Sequence, residues 1–154
     1  MIKLYQTIVD KNHGNCMQAA IASLFEEPLE NVPNFIKNKE GWFSELWDFL
    51  NKRGYTYNGM LHSYGNNKRL YPNDNAKDRF NEIKEMDGVK GYFYAAVYSP
   101  KYYNPMDVSP ITHAVIIDKD FNIVHDVNAE YDKCVCYPEA DNIGYNGIVY
   151  IFMI

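Results

Sequence analysis

Cysteine, histidine and carboxylate side chains can together perform nucleophilic catalysis, and this chain of 154 residues holds three cysteines and four histidines among which to find such a set. Cys16 is distinguished by its neighbours. It follows Gly14-Asn15 and opens a run in which Met17, Ala20, Ile21, Leu24 and Phe25 recur at spacings of three and four, which is one stripe of a buried helix. Asn15 is a favourable N-cap and Gly14 permits a sharp turn, so Cys16 is expected at the first helical position. A thiol there faces unpaired backbone N–H groups and the positive end of the helix dipole, both of which favour the thiolate. A buried structural cysteine is the competing reading, because free cysteines are often interior. On this stretch alone the two readings balance. Cys134 and Cys136 alternate as strand residues would and share a face. With a single residue between them they lack the spacing of a structural zinc pair, so neither a metal nor a cofactor is expected.

A catalytic thiol needs a base, and the base needs a group that holds its tautomer. His13 lies in a loop three residues before Cys16, and His62 sits in a polar middle segment. His113 begins the strand-like run 112–118, and His125 lies near the end of the next run, 122–128. Lys119-Asp120-Phe121 joins the two runs as a hairpin turn would. A turn centred there sets His113 opposite Asp126 or Val127, bringing a carboxylate beside the imidazole. A slip of one residue puts Asp126 on the other face. By the same alternation His125 points away from Asp126. Alone, His113 reads as a strand-end histidine satisfied by backbone; combined with Cys16 and Asp126 it reads as a catalytic base. Asn128 is the alternative orienting group.

The elements that must position these residues follow in order. Residues 2–9 form a short strand or an extended entry segment, and the Cys16 helix ends near Glu27-Pro28, since proline cannot continue it. "PLENVPNF" is a short helical turn with Leu29, Val32 and Phe35 inward. "GWFSELWDFLNKRGY" is an amphipathic helix with Trp42, Leu46, Phe49 and Leu50 on one face and Gly54 as its C-cap. Residues 58–89 read as loop plus one helix over 76–86. Strand-like runs follow at 91–99, 112–118, 122–128, around Cys134-Cys136, and at 146–154. Helices first and an antiparallel sheet after them is an α+β order. The length fits one domain, residues 1–154, that buries roughly 70% of its unfolded surface.

Composition narrows the function classes. A net charge of −5 and the absence of a dense Lys/Arg cluster argue against a nucleic-acid surface. No run has the length of a signal-peptide core or a membrane span. Free thiols suit a reducing compartment, so a cytoplasmic protein without a membrane partner is expected; the oligomeric state is not legible. The proline-bounded excursion 100–110, rich in tyrosine, ends three residues before His113 and is expected at the mouth of any site there.

The stretches "GNCMQAAIASLFEEPLENVPNF" and "THAVIIDKDFNIVHDVN" resemble the papain-like cysteine peptidase superfamily. Within it they are similar to the compact bacterial branch of bacteriocin-leader-processing and NlpC-type enzymes. More narrowly they resemble small phage and bacterial proteins that carry G-N-C-x-Q-A, V-P-x-F, H-A-V-V and H-D in this order; the matches cover residues 6–35 and 91–128. The resemblance implies a papain-like α+β fold, with N-terminal helices packed on a C-terminal antiparallel sheet. It implies Cys16 as nucleophile, His113 as general base and acid, and Asp126 as orienter. Papain-like enzymes also place a glutamine a few residues before the cysteine to bind the oxyanion. Asp10 stands six before Cys16, and Gln6 fills that role only if residues 7–15 bulge. Gln18 reads as structural, and the Cys16 backbone N–H supplies another donor. Val127 replaces the proline that often follows the acid in the related group. The implied function is an intracellular thiol hydrolase or acyl-transfer enzyme (peptidase, amidase or deamidase) acting on a protein or peptide, a host protein if the chain is phage-encoded. The alternative is a catalytically silent papain-like binding protein that inhibits or sequesters a host factor.

Overall fold

Among the described residues, the strand-like runs of the second half assemble into an antiparallel sheet, and the helical first third covers one face of it. The computed structural model describes residues 1–37, 39–63, 76–104, 106–107, 111–131 and 147–154. Among these, α1 spans Cys16–Phe25, α2 Trp42–Asn51 and the short α3 Ala76–Phe80, while β1 spans Gly59–His62, β2 Phe93–Tyr98, β3 Thr112–Ile117, β4 Ile123–Asp126 and β5 Ile148–Met153. The sheet order is β1-β5-β2-β3-β4, with every described neighbour antiparallel. This is an α+β architecture, as the element order predicts.

Alternation along β2, β3 and β5 divides the interior in two. Tyr94, Ala96, Ala114, Ile116 and Phe152 face α1 and α2, while Ala95, Val97, Val115, Ile117 and Ile151 face the α3 side. Ala96 pairs with Ala114 across β2 and β3. These small side chains lie under α1, whose own Ala19, Ala20 and Ala22 are fully buried, so helix and sheet approach closely. That close seating sets the height of Cys16 above the start of β3.

Several expectations need correction. Residues 2–9, read as a short strand or an extended entry segment, carry no strand. The middle segment, read as loop plus one helix, also contributes β1, which pairs with β5. Its helix is α3 followed by a 3-10 turn over Asn81–Glu85. The inward turn after α1 is two 3-10 turns, Leu29–Asn31 and Phe35–Lys37, with Val32 and Phe35 buried and Leu29 half-buried. Cys134 and Cys136 lie outside the described residues. No helix among the described residues is long and apolar enough to cross a membrane.

Candidate active site

Helix α1 begins at Cys16 with Asn15 in the N-cap position, but the Asn15 side chain does not cap the helix. Its Oδ1 instead accepts from the backbone N–H groups of Thr7 and Ile8 at 3.0 and 2.9 Å, and its Nδ2 donates to Thr7 Oγ1 and Gln18 Oε1. Gly14 closes the same loop by donating to the Asp10 carbonyl, and a Cβ added at Gly14 would lie 2.8 Å from that oxygen. Glycine is required here by close approach to backbone. The segment 7–15 is thus folded back on itself as a bulge.

That bulge decides the fate of Gln6. The Gln6 N–H donates to the Val127 carbonyl at 2.8 Å, and Leu4 is held by Ser23 Oγ and by His125 Nε2. With Asn15 holding the next two residues, Gln6 is fixed where it lines the same cavity as Cys16 and His113. Gln18 reaches elsewhere: its Nε2 donates to the Leu29 and Val32 carbonyls, pinning the turn after α1. The structural reading of Gln18 stands.

The imidazole arrives from β3 and its partner from β4. Near the turn the hairpin pairs Ile117 with Ile123, a register that would carry Asp126 to a position opposite Ala114, on the wrong face. A bulge between Ile116 and Ile117 inserts Val124 without a partner, and beyond it Ile116 pairs with His125 and Val115 with Asp126. Asp126 therefore lies neither opposite His113 nor beside it on the other face. It sits opposite Val115 and diagonal to His113, on the same face of the sheet. The expected pairing is corrected by two positions, an even shift that preserves the face. A bulge that re-aims a side chain at a site is a recurrent use of this irregularity.

Across that diagonal His113 Nε2 donates to Asp126 Oδ1 at 2.6 Å. The same oxygen accepts the Asn128 backbone N–H at 2.7 Å, while Asn128 Oδ1 accepts from the Glu130 N–H. Asp126 is thus the group on the ring, and Asn128 shapes the turn behind it. Both Asp126 and His113 are buried, at 2% and 6% exposure. Cys16 lines the same cavity as the ring, and its thiol is among the groups that favour the charged ring. Burial alone would push the His113 ring down; the hydrogen bonds to Asp126 and Cys16 outweigh it and raise the ring to about 9. Tyr131 stands edge-on to the ring at 5.9 Å.

The remaining histidines take no part. His13 is exposed and bound to Asp10 at 3.0 Å. His62 lies on β1, and burial pushes its ring down. His125, opposite Ile116, points to the other face and binds the Leu4 carbonyl.

The cavity at this junction, about 70 Å³, is lined by Gln6, Cys16, His113 and Asn128, with Lys101 and Tyr102 of the 100–110 excursion at its edge. The excursion thus reaches the mouth of the site, as its position in the chain predicts. Sequence reasoning missed Tyr131, for which the chain of 14 tyrosines gives no signal. It also missed a second cavity on the far side of Cys16, whose wall residues Tyr150 and Phe152 do carry a signal in their strand spacing. Compared with family models, curated proteins and solved structures, the chain matches none.

Proposed function

We propose that this chain is a papain-like thiol hydrolase or acyl-transfer enzyme, with Cys16 as nucleophile, His113 as base and acid, and Asp126 as orienter. The observation that supports it best is geometric: a buried imidazole held 2.6 Å from a buried carboxylate lines one cavity with a thiol at the first turn of a helix. The charged form of the His113 ring is favoured up to about pH 9, so at neutral pH the ring is poised to hold a proton for the leaving group. Cys16 Sγ attacks a carbonyl carbon, and the oxygen that gains charge is received by the Cys16 N–H and the Gln6 amide. His113 then gives its proton to the departing amine, leaving a thioester on Cys16. Water or a second amine, deprotonated by the now neutral ring, resolves the thioester. Asp126 keeps Nε2 protonated, so that Nδ1 is always the nitrogen that serves sulfur and substrate. A protein or peptide amide, of a host if the chain is phage-encoded, and a reducing cytoplasm that keeps Cys16 free belong to the same reading.

Alkylation under native conditions tests it. Iodoacetamide at pH 7, followed by peptide mapping, is expected to label Cys16 about ten-fold faster than Cys134 or Cys136. Equal rates for the three, or a Cys16 protected until the chain is denatured, overturn the reading.

A further inference from the structure

The cavity that holds Cys16 and His113 differs in charge from the rest of the chain. The protein carries 20 acidic against 15 basic side chains and a net charge of −5, yet the other charged residues lining this cavity are Lys11, Lys101 and Asp10. Asp10 is already engaged: its Oδ1 accepts the backbone N–H groups of Asn12 and His13, each at 2.8 Å, and the His13 ring lies 3.0 Å from it. Neither lysine has an acidic partner among the described residues. Lys101 Nζ lies 5.2 Å from the centre of the Tyr102 ring, a cation–π contact that restrains it. Its charge is also felt at Tyr131, where burial raises the hydroxyl and the Lys101 ammonium opposes that rise. The Tyr131 ring in turn stands edge-on to His113. Lys11 comes from a different wall, the folded-back segment 7–15. Two ammonium groups from separate parts of the chain therefore line one cavity, and the acid beside them is bonded elsewhere.

Resting on the reading above, the direction of proton transfer assigns this cavity to the departing amine. His113 must reach the nitrogen as its bond to the carbonyl carbon breaks and the carbon–sulfur bond forms. The group carried by that nitrogen then lies beside Lys11 and Lys101. We infer that the leaving side of the substrate bears a carboxylate within one residue of the scissile amide, received by Lys11 and Lys101. The carboxylate stays ionised throughout, and the proton that moves is the one passed from His113 to nitrogen. A departing amino acid with a free terminal carboxylate and a departing aspartyl residue share this chemistry. Both lysines are exposed, so the attraction is one that salt screens.

Three thiol reagents test this on the full chain: iodoacetyl-alanine with a free terminal carboxylate, iodoacetyl-aspartic α-amide with a side-chain carboxylate, and the neutral iodoacetyl-alaninamide. Each forms a carbon–sulfur bond as iodide departs, and each carries its charge on the nitrogen side of a carbonyl, as the substrate would. Peptide mapping by mass spectrometry reads the rate at every cysteine. At low ionic strength one or both anionic reagents are expected to label Cys16 about five-fold or more faster than the neutral one, and the faster of the two identifies the source of the carboxylate. High salt is expected to shrink that ratio. In the double variant Lys11→Gln, Lys101→Gln the ratio, taken within one protein, is expected to fall toward one. A parent ratio at or below one, with Cys16 still outpacing Cys134 and Cys136 toward the neutral reagent, overturns the carboxylate site and leaves the catalytic reading standing. A ratio that survives the loss of both lysines also overturns it and assigns the preference to the His113 ring. A Cys16 that reacts no faster than Cys134 and Cys136 with any of the three overturns both.

Discussion

The two ends of α1 use charge in opposite ways. At its C-terminus Glu26 takes a left-handed conformation, φ 58°, and its carboxylate receives the Met1 ammonium and Lys90 Nζ, each at 2.6 Å. Beside it Glu27 receives the Arg53 guanidinium in a two-pronged pair, one prong at 2.7 Å. A carboxylate at the negative end of a helix is unfavourable unless cations answer it, and here the cations answer and the ledger of charges is closed. These groups are exposed or half-buried, and they tie elements together. Beside the N-terminus the Asp126 carboxylate is buried and pairs with the His113 imidazole. The imidazole in turn faces a thiol that lines two cavities. Charge at the first end completes a structure; charge at the second is held ready beside open space.

The contrast predicts a graded series of losses. Asp126→Ala sits at the top, because it strips the ring of its orienter and leaves the His113 and Asn128 donors unmet. Its turnover of a peptide amide is expected to fall on the order of 10²–10⁴-fold, and its stability in a denaturant titration by about 2–4 kcal/mol. Full activity in that variant would dissolve the contrast. Gln6→Ala comes next, with turnover reduced about 10²-fold or more and little change in denaturation midpoint, since its backbone bond to Val127 survives. Glu26→Gln is the smallest. The Lys90 and Met1 bonds hold the Glu26 carboxyl down at about 2 against an ordinary 4.5. A depressed carboxylate contributes stability that is present above its unfolded value and is lost as pH falls toward 2. The variant is therefore expected to differ from the parent near pH 6 and to converge with it in acid unfolding near pH 2, with turnover unaltered throughout. A loss of turnover in Glu26→Gln would mean that the two ends are coupled.

Much of this arrangement is legible from residue order. The stripe from Met17 to Phe25 and the pair Gly14-Asn15 place Cys16 at the start of a helix, and α1 begins there. The runs around His113 and His125 form the expected hairpin. What the order does not carry is the register, because the bulge at Val124 depends on how β3 and β4 twist together. Without it Asp126 would share a face with Ala114, and the triad would not form. Asn15 shows a second limit: its type fits a cap, yet tertiary partners at Thr7 and Ile8 claim its side chain. Strand β1 escapes notice because its four residues, Gly59–His62, are too few to show alternation and are ordered by pairing with distant β5. The second cavity beside Cys16 escapes for a related reason, since its Trp42, Tyr94 and Phe152 come from three elements far apart in the chain.

The relay itself is open to one direct reading, a pH titration of the His113 ring by NMR in the parent chain and in Asp126→Ala. The hydrogen bonds to Asp126 and Cys16 together lift the ring above its ordinary 6.5. The proton is therefore expected to stay until pH rises to about 9, and the alkaline limb of turnover should fall with it. In Asp126→Ala the midpoint should move down, because one of the two bonds that favour the charged ring is gone while burial still opposes it. A parent midpoint near 6.5, or one that Asp126→Ala leaves in place, would contradict a thiol and a carboxylate sharing this imidazole.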